Sequence, residues 1–391
     1  MAKKKDENNN ENSLYENLAK SVGGELLEDT GKVNEYIDTG ILSLNYVISG
    51  KFVGGGLPVG CCAEIYGDSS SGKTLIGTNL LRGSQTANGI AAFLDSERTL
   101  NKEFARKASK VDPKKVILME ADTLEKCFAK IFKLIKQARE VVPMERHICI
   151  VYDSIAVSPS EREFSETEVD METATKAQLK EVGAGTDKPG EKAKIIGKEL
   201  RKLTPILAEN NATVLFVNQL REKIGILYGD SSTTAAGGRA LPFYATCRLR
   251  ISSFKKIEDN LGNIIGVNVS IKNTKNKCFK PFVEVKNLRL FFDKGIDPLG
   301  GLLTLLLQCG RITAGAAGNY TVNEPWAGGK EVKFKSSKER NDIPADVLLE
   351  CPALVDATSP EQVQYYIDMF GEALEAVEND IAKEVEVGEE E

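Results

Sequence analysis

The chain has 391 residues, of which 41% are hydrophobic and 28% are charged. This balance is typical of a soluble globular protein, and no apolar run is long enough to cross a bilayer, so we expect no membrane segment. The chain carries 51 basic and 57 acidic side chains, a net charge of −6. That charge argues against a uniformly basic surface for nucleic acid and leaves local basic patches open.

The first residues and the cysteines indicate a reducing compartment. Met1–Lys5 lacks the apolar core of a secretory signal, so we expect a cytoplasmic protein. The 8 cysteines show no C-x-x-C pairing and are expected to be free thiols. The single histidine, His147, leaves little to complete a zinc site, so a structural metal is not expected. Because His147 precedes an apolar run, we interpret it as a strand-edge residue rather than a catalytic base.

The N-terminal region divides into two segments. Residues 1–12 are rich in lysine and asparagine, and this composition predicts disorder. In residues 13–35, Leu14, Leu18 and Val22 recur every four residues and predict a short amphipathic helix. Such a helix buries little surface by itself, so we interpret 13–35 as an oligomerisation segment that docks on another subunit.

A glycine-bounded loop follows the apolar run 63–66. Its spacing is a glycine, four residues and then Gly-Lys-Thr. In such a loop, backbone N–H groups wrap a polyphosphate, the lysine reaches the β- and γ-phosphates, and the hydroxyl binds Mg²⁺. The apolar residues after the loop predict a helix whose N-terminal amides face the anion. We therefore predict a nucleotide site that includes Gly67, Asp68, Ser69, Ser70, Ser71, Gly72, Lys73 and Thr74.

Two further apolar runs end in carboxylates. The first, 90–94, leads to Glu97, and the second, 147–152, leads to Asp153. Ligands of parallel α/β sheets lie at the carboxyl ends of strands, so Glu97 is placed to orient or deprotonate water beside the γ-phosphate. A solvated glutamate that caps a loop is the alternative. Asp153 matches the aspartate that holds Mg²⁺ through its ligands in nucleotide sites.

A third apolar run, 212–217, ends at Asn218-Gln219 and precedes a long irregular stretch, 220–239. Strands that alternate with helices, such as 191–207, predict an α/β fold with a mostly parallel sheet between helices. A loop as long as 220–239 tends to be functional or mobile. Its aromatic residue, Tyr228, is suited to stack on bases while basic side chains meet phosphates, and a plain surface loop is the alternative.

The rest of the chain predicts antiparallel strands and a second, smaller domain. The pattern from Phe243 to Leu290 predicts antiparallel strands that extend the sheet. Within this region, residues 272–277 are predicted to form a lysine-rich turn. A helix at 302–307 opens a small α/β domain, 296–380. Residues 381–391 form an acidic tail.

Several of these stretches together resemble the RecA family of homologous recombinases, in the family's order. The resemblance covers about Ile37 to the small C-terminal domain and is closest at Phe216–Gly225. It implies a P-loop NTPase core of the RecA type at 36–295, with DNA-binding loops at about 158–192 and 220–239. The other matching segments are Thr233-Thr234, Gly237-Gly238, Phe243–Ala245, Leu57-Pro58 with the phosphate loop, Phe104–Lys107, and Lys275–Lys277 with Pro281-Phe282.

The resemblance implies roles around an ATP molecule that neighbouring protomers hold between them in a helical filament on single-stranded DNA. Lys73 and Thr74 would bind phosphate and Mg²⁺, and Asp153 would support the metal. Glu97 would activate water. Gln219 would sense the γ-phosphate and pass its state to the adjoining DNA loop.

Four more residues acquire roles from the resemblance. Phe104 would stack on adenine, where bacterial members usually have tyrosine, with Asn101 near the base edge. Lys275 and Lys277 would reach the ATP of the next protomer, as an arginine finger does elsewhere, with a contribution of about 10³ to 10⁵ in rate. Hydrolysis would therefore need assembly.

The DNA contacts follow the family in the second loop and depart from it in the first. The first loop, 158–192, looks longer than in the family, and we interpret its acidic part, Glu161–Glu172, as a solvated insertion because acidic residues repel phosphate. Its DNA role is assigned instead to Lys188–Gly190 and to Lys198 and Arg201 on the next helix. The second loop would contact DNA through Arg221, Lys223, Leu227, Tyr228, Thr233, Thr234, Gly237, Gly238 and Arg239.

These expectations define an ATP-dependent recombinase that acts on single-stranded and double-stranded DNA and hydrolyses ATP when bound to DNA. Single-strand-binding and loader proteins are possible partners. One alternative is a ring-forming helicase on the same core fold. A second is a nucleotide-gated protein that coats DNA or acts as a mediator without strand exchange. This second alternative ranks lower because a passive coat needs neither Glu97 nor the lysine pair.

Overall fold

The computed structural model describes residues 14–24, 26, 35–167, 190–222, 233–235, 238–259, 261–336 and 342–370. The chain divides into two compact units, Met1–Glu35 and Tyr36–Glu391. In the first unit, residues 14–21 form the predicted helix, α1, and the side chains of its apolar stripe are exposed. The docking role of this helix stays a prediction, as does the boundary of a small domain at residue 296.

The second unit contains fifteen strands and ten α-helices within the residues that the structure describes. The strands are β1 Tyr36–Ile37, β2 Leu57–Pro58, β3 Cys62–Gly67, β4 Ile90–Asp95, β5 Val116–Glu120, β6 Ile148–Asp153, β7 Ala212–Glu222, β8 Thr233–Ala235, β9 Cys247–Glu258, β10 Ile264–Asn276, β11 Glu284–Phe291, β12 Gly295–Ile296, β13 Ile312–Ala314, β14 Asn319–Val322 and β15 Lys333–Lys335. The helices are α2 Leu42–Ser49, α3 Lys73–Thr86, α4 Lys102–Ser109, α5 Leu124–Val141, α6 Glu161–Thr167, α7 Glu191–Glu209, α8 Ala240–Tyr244, α9 Leu302–Gln308, α10 Ala345–Glu350 and α11 Pro360–Phe370.

The central sheet confirms the predicted α/β class. Its strand order is β12-β11-β10-β9-β3-β7-β6-β4-β5, with β8 paired to β7. The strands from β9 to β5 run parallel, whereas β10, β11 and β12 add antiparallel pairs at one end. The sheet is therefore mostly parallel, and the predicted antiparallel extension is confirmed.

Successive strand residues point to opposite faces of the sheet. Because apolar side chains point to both faces, helices cover both of them. On β6, Val151 packs in the cluster that contains residues of α2, α3 and α4, together with residues of the C-terminal elements. The next residue, Tyr152, packs in the cluster formed with α5 and α7. Both side chains are completely buried. Polar groups at the carboxyl ends of the parallel strands then remain for a ligand.

The predicted lysine-rich turn at 272–277 is wrong for most of its length, because β10 continues to Asn276. The strand keeps its pairing with β9 as far as Asn276 and Cys247. Asn273 is buried, and its Nδ2 donates to the carbonyl of Val47 at 2.9 Å. Because Asn273 is buried with a hydrogen-bond partner, the strand can continue through a segment whose sequence resembles a turn.

The stretch 220–239 is less irregular at its ends than predicted. Leu220 pairs with Ala235, and Glu222 pairs with Thr233, in an antiparallel ladder between β7 and β8. Several predicted positions lie outside the described residues: 1–12, Lys188, Pro189, Lys223, Leu227, Tyr228, Gly237 and the tail 381–391.

The expectation that the cysteines are free thiols agrees with the structure. All 8 cysteines are free thiols. No group of histidine, cysteine and carboxylate side chains suited to a metal ion occurs among the residues with described positions. His147 is buried just before β6, with its Nε2 3.0 Å from the Ser84 hydroxyl. No helix in the described ranges is long and apolar enough to span a membrane.

Candidate nucleotide-binding site

The phosphate loop connects β3 to α3 at the carboxyl end of the parallel strands. Gly67 ends β3, and a Cβ on it would lie 2.2 Å from the carbonyl oxygen of Ile251. Gly72 has φ +92°, and a Cβ there would lie 2.1 Å from Leu290 Cδ2. Because side chains at these two positions would collide with β9 and β11, the glycines let the loop pack directly on the sheet. Helix α3 begins at Lys73, so its first N–H groups lie at the loop.

Lys73 lies folded against the loop that carries it. Its Nζ donates to the carbonyl of Gly67 at 3.2 Å, to the carbonyl of Asp68 and to Ser71 Oγ at 3.4 Å. Burial lowers the pKa of Lys73, and nearby carboxylates, chiefly that of Asp153, oppose this shift. The ammonium therefore lies at the loop that the sequence predicts to hold phosphate.

Thr74 and Asp153 form an oxygen-rich pair beside the loop. Thr74 Oγ1 donates to Asp153 Oδ2 at 2.5 Å. Burial raises the pKa of Asp153 to about 6, and the hydrogen bond from Thr74 acts in the opposite direction. A hydroxyl and a carboxylate are hard oxygen ligands of the type that Mg²⁺ prefers, directly or through water, so the residues present fit this cation.

Glu97 follows β4 and points its carboxylate into the same site. Its Oε1 accepts from Ser154 Oγ at 2.7 Å and from Gln219 Nε2 at 3.2 Å. The charge of Glu97 raises the pKa of both Lys73 and Asp153. These bonds argue against the alternative of a solvated glutamate that only caps a loop.

Asp95 was not selected from the sequence, yet it shapes the loop that carries Glu97. Its Oδ1 accepts from the N–H groups of Glu97 at 3.1 Å and Arg98 at 2.7 Å. Its Oδ2 accepts from the Leu100 N–H at 2.9 Å. The available signal was its position directly after the apolar run 90–94. Ser154, which fixes the Glu97 carboxylate, had a similar signal directly after Asp153.

Gln219 connects this site to the strand that leads toward 220–239. The register of β3 and β7 places it opposite Gly67, the first glycine of the phosphate loop. Its side chain contacts Glu97, and its backbone N–H donates to Asn218 Oδ1 at 2.9 Å. Gln219 therefore links the Glu97 carboxylate to β7.

Comparisons with known proteins show the family of this chain. The model of the RecA N-terminal domain family matches residues 16–297. The chain belongs to the RecA family. Protein RecA of Chloroherpeton thalassium is 32% identical over 322 residues, which cover 82% of each chain. Protein RecA of Thermus aquaticus is 32% identical over 84% of this chain and 89% of its own length. Protein RecA of Nostoc sp. is 36% identical over 71% of this chain and 68% of its own length.

The two lysines that the RecA resemblance assigns to the next protomer's ATP lie at the end of β10 and just after it. Lys275 Nζ donates to the carbonyls of Pro242 at 2.8 Å and Phe243 at 2.7 Å, so its bonds go to α8 rather than to the phosphate loop. Burial lowers the pKa of Lys275, and the charge of Lys277 adds to this effect. Lys277 is exposed just after β10.

The residues assigned to adenine in this RecA-family chain lie at the start of α4. Asn101 is exposed, and its Oδ1 accepts from the N–H of Glu103 at 2.9 Å. Asn101 therefore caps the helix, and its place near the adenine stays a prediction. Phe104 belongs to α4, and its side chain lies outside the described part of the structure.

A basic stripe runs along α7. Lys198 and Arg201 are exposed, and Arg201 Nε donates to the Tyr244 hydroxyl at 3.5 Å. Lys194, one turn earlier, is also exposed and was not selected from the sequence. Its spacing of four from Lys198 and seven from Arg201 was the signal, because residues at this spacing share one face of a helix.

The remaining positions of the predicted DNA loops have mixed outcomes. Arg221, Thr233 and Thr234 belong to the β7–β8 ladder, while Gly238 and Arg239 are exposed just before α8. In the acidic segment, Glu161–Thr167 forms α6. Glu163 is half-buried, and its Oε2 lies 3.0 Å from the Lys192 ammonium. Glu163 is therefore not the solvated side chain that was predicted, because it binds the start of α7.

Proposed function

We propose that this protein is an ATP-dependent recombinase that forms a helical filament on single-stranded DNA. It pairs that strand with homologous double-stranded DNA and promotes strand exchange. Membership of the RecA family supports this function and does not favour the helicase or the passive coat. The observation that carries the proposal is the hydrogen bond between Gln219 and Glu97, because it joins the hydrolytic site to the strand that enters 220–239.

Hydrolysis of ATP uses side chains that the phosphate loop and the neighbouring strand ends bring together. Lys73 leaves its loop oxygens to bind the β- and γ-phosphates, and Thr74 and Asp153 would hold Mg²⁺. Mg²⁺, when bound, neutralises charge that develops on the phosphate oxygens. Glu97 orients the attacking water and accepts its proton.

The same arrangement links ATP to the grip on DNA. The Gln219 amide donates to Glu97 and is the group that senses the γ-phosphate. With ATP present it turns toward the phosphate, and β7 carries the change into 220–239. Hydrolysis removes the γ-phosphate and loosens the grip. Arg221, Arg239 and the stripe on α7 neutralise DNA phosphates.

We expect Lys73→Ala to weaken ATP binding about 10- to 100-fold, because hydrogen bonds from the ammonium to charged phosphate are lost. Isothermal titration with a non-hydrolysable ATP analogue measures this effect. Lys133→Ala, which removes an exposed lysine of α5, is the matched control. Equal affinity for the analogue in the Lys73→Ala variant and the control would remove Lys73 from the site.

Binding to single-stranded DNA is expected to weaken steeply with salt, at a slope of about −0.7 for each phosphate contact. Replacing Lys198 and Arg201 together by alanine should reduce that slope by about 1.4. Fluorescence anisotropy across a salt series measures it. Lys133→Ala is the control, because Lys133 is an exposed lysine on another helix, α5. An unchanged slope in the double variant would exclude this helix from DNA binding.

The function itself is tested by the ATPase rate with and without single-stranded DNA. A recombinase hydrolyses ATP faster on DNA, forms open helical filaments in electron micrographs and transfers a labelled strand to a homologous duplex. Closed rings and directional unwinding would indicate the helicase. DNA binding without strand transfer would indicate the coating protein. A cytoplasmic location, single-strand-binding proteins and loader proteins belong to the same proposal.

A further inference from the structure

A row of polar side chains crosses the central sheet on four adjacent strands, β7, β3, β9 and β10. Asn218, Glu64, Arg248 and Lys275 form this polar row. Glu64 is the register partner of Arg248 between β3 and β9, and Lys275 is the partner of Arg248 between β10 and β9. Parallel strands that are buried on both faces are usually near-continuous apolar runs, so these polar residues are unusual there.

Direct bonds join the first three members of the polar row. Asn218 Nδ2 donates to Glu64 Oε1 at 2.8 Å, and Arg248 Nε donates to Glu64 Oε2 at 2.5 Å. The Glu64 side chain is completely buried, and the Arg248 side chain is only 16% exposed. The Arg248 guanidinium also lies over the Tyr66 ring, 4.5 Å from its centroid. Desolvation offsets much of the attraction in a buried ion pair, so stability alone does not account for this one.

One end of the polar row meets the candidate hydrolytic site. The Gln219 N–H donates to Asn218 Oδ1 at 2.9 Å, and Gln219 Nε2 donates to Glu97 Oε1 at 3.2 Å. Asn218 therefore uses its amide oxygen for Gln219 and its amide nitrogen for the buried carboxylate. This arrangement fixes the orientation of the Asn218 side chain relative to both partners.

The other end meets the strand that carries Lys275. The charges of Arg248 and Glu64 both affect the pKa of Lys275, in opposite directions, so the ammonium lies within electrostatic reach of the pair. The Tyr66 hydroxyl is 3.0 Å from Oγ1 of Thr274, the residue before Lys275. The polar row thus extends from Asn218, the neighbour of Gln219, to Lys275, which contacts α8.

We propose that the Glu64–Arg248 ion pair is a positioning element that couples a protomer's own nucleotide, through Gln219, to the next protomer's nucleotide, through Lys275. This inference rests on the proposed function, because it takes Gln219 as the γ-phosphate sensor and Lys275 as the lysine that acts across the seam. Occupancy of one site then prepares the adjacent site, and ATP hydrolysis along the filament becomes cooperative.

The coupling follows from the shared carboxylate. When Gln219 turns toward the γ-phosphate, Asn218 moves with it, and Glu64 responds because one of its oxygens binds Asn218. The other oxygen holds Arg248, so the guanidinium shifts as well. Arg248 and Lys275 have like charges, and a closer Arg248 weakens the bonds of Lys275 to α8. Lys275 is then released toward the neighbouring protomer.

Glu64→Gln tests the inference, because glutamine keeps the shape and can still accept from Asn218 but loses the charge that holds Arg248. We expect the Hill coefficient for ATP in DNA-stimulated hydrolysis to exceed 1 in the unsubstituted protein and to fall to about 1 in the variant. The double variant Glu64→Gln with Arg248→Gln restores a neutral pair. It should regain the melting temperature of the unsubstituted protein without regaining cooperativity, which separates coupling from a purely structural role.

Asp297→Asn is the matched control, because Asp297 forms another buried ion pair, with Arg289 at 2.6 Å, outside the polar row. It should lower the melting temperature and leave the Hill coefficient unchanged. A Hill coefficient of about 1 in the unsubstituted protein would overturn the inference, as would an unchanged coefficient in either Glu64 variant. If hydrolysis were still stimulated by DNA, either result would leave the proposed function standing. Absence of any DNA-stimulated hydrolysis would instead overturn the proposed function, and the inference with it.

Discussion

Glu97→Gln is expected to lower DNA-stimulated ATP hydrolysis by about 10²- to 10⁴-fold, the usual contribution of a positioned general base. Glutamine retains an oxygen that can accept from Ser154 Oγ and Gln219 Nε2, the two donors that Glu97 Oε1 now serves. The geometry of the site is then conserved, and the basic carboxylate is what the variant loses. The rate loss therefore reports on proton transfer rather than on a rearranged loop.

The same variant should retain ATP-stabilised filaments, because no group that holds phosphate or metal is changed. Steady-state hydrolysis and electron microscopy on single-stranded DNA measure the two properties in parallel. Glu140→Gln, on the exposed face of α5, is the control and should hydrolyse ATP normally. Normal turnover in Glu97→Gln would show that another group activates the water.

The double variant Lys275→Ala with Lys277→Ala should lose about 10³ to 10⁵ in hydrolysis rate, the range found when an arginine finger is removed. Nucleotide binding to the isolated protomer should be unchanged, because the Lys275 ammonium bonds to α8 rather than to the phosphate loop. Rapid-quench measurement of phosphate release and titration with an ATP analogue separate the two effects. Lys286→Ala on β11, which has an exposed side chain, is the control.

A mixing experiment makes this prediction sharper. Protein with Lys73→Ala keeps the lysine pair, and the double variant keeps the phosphate loop. In a mixed filament, some seams join an intact loop to intact lysines, so hydrolysis should rise above that of either variant alone. Failure of the mixture to recover any activity would place the lysines in the same protomer's reaction or outside hydrolysis altogether.

The local parts of this protein are predictable from the sequence because they depend on short spacing. The phosphate loop needs two glycines and a Lys-Thr pair within eight residues, and Asp153 ends a run of apolar residues. Each of these patterns lies within a few residues and predicts a local structure without reference to distant segments. The parallel core and the antiparallel extension follow from the same patterns, which alternate strands with helices before 220 and continue with strands after 243.

Other features required contacts between distant segments. Nothing in the sequence near 272–277 shows that Asn273 bonds to Val47 inside the core, so a continuous strand resembled a turn. Glu163 looked like one of many solvated carboxylates until α6 met Lys192. The sequence alone thus determined the family, the phosphate loop and the chemistry of its neighbours, because those depend on local order. Only the tertiary structure decided the polar row that joins Gln219 to Lys275, because strands far apart in the chain become neighbours only when the sheet is assembled.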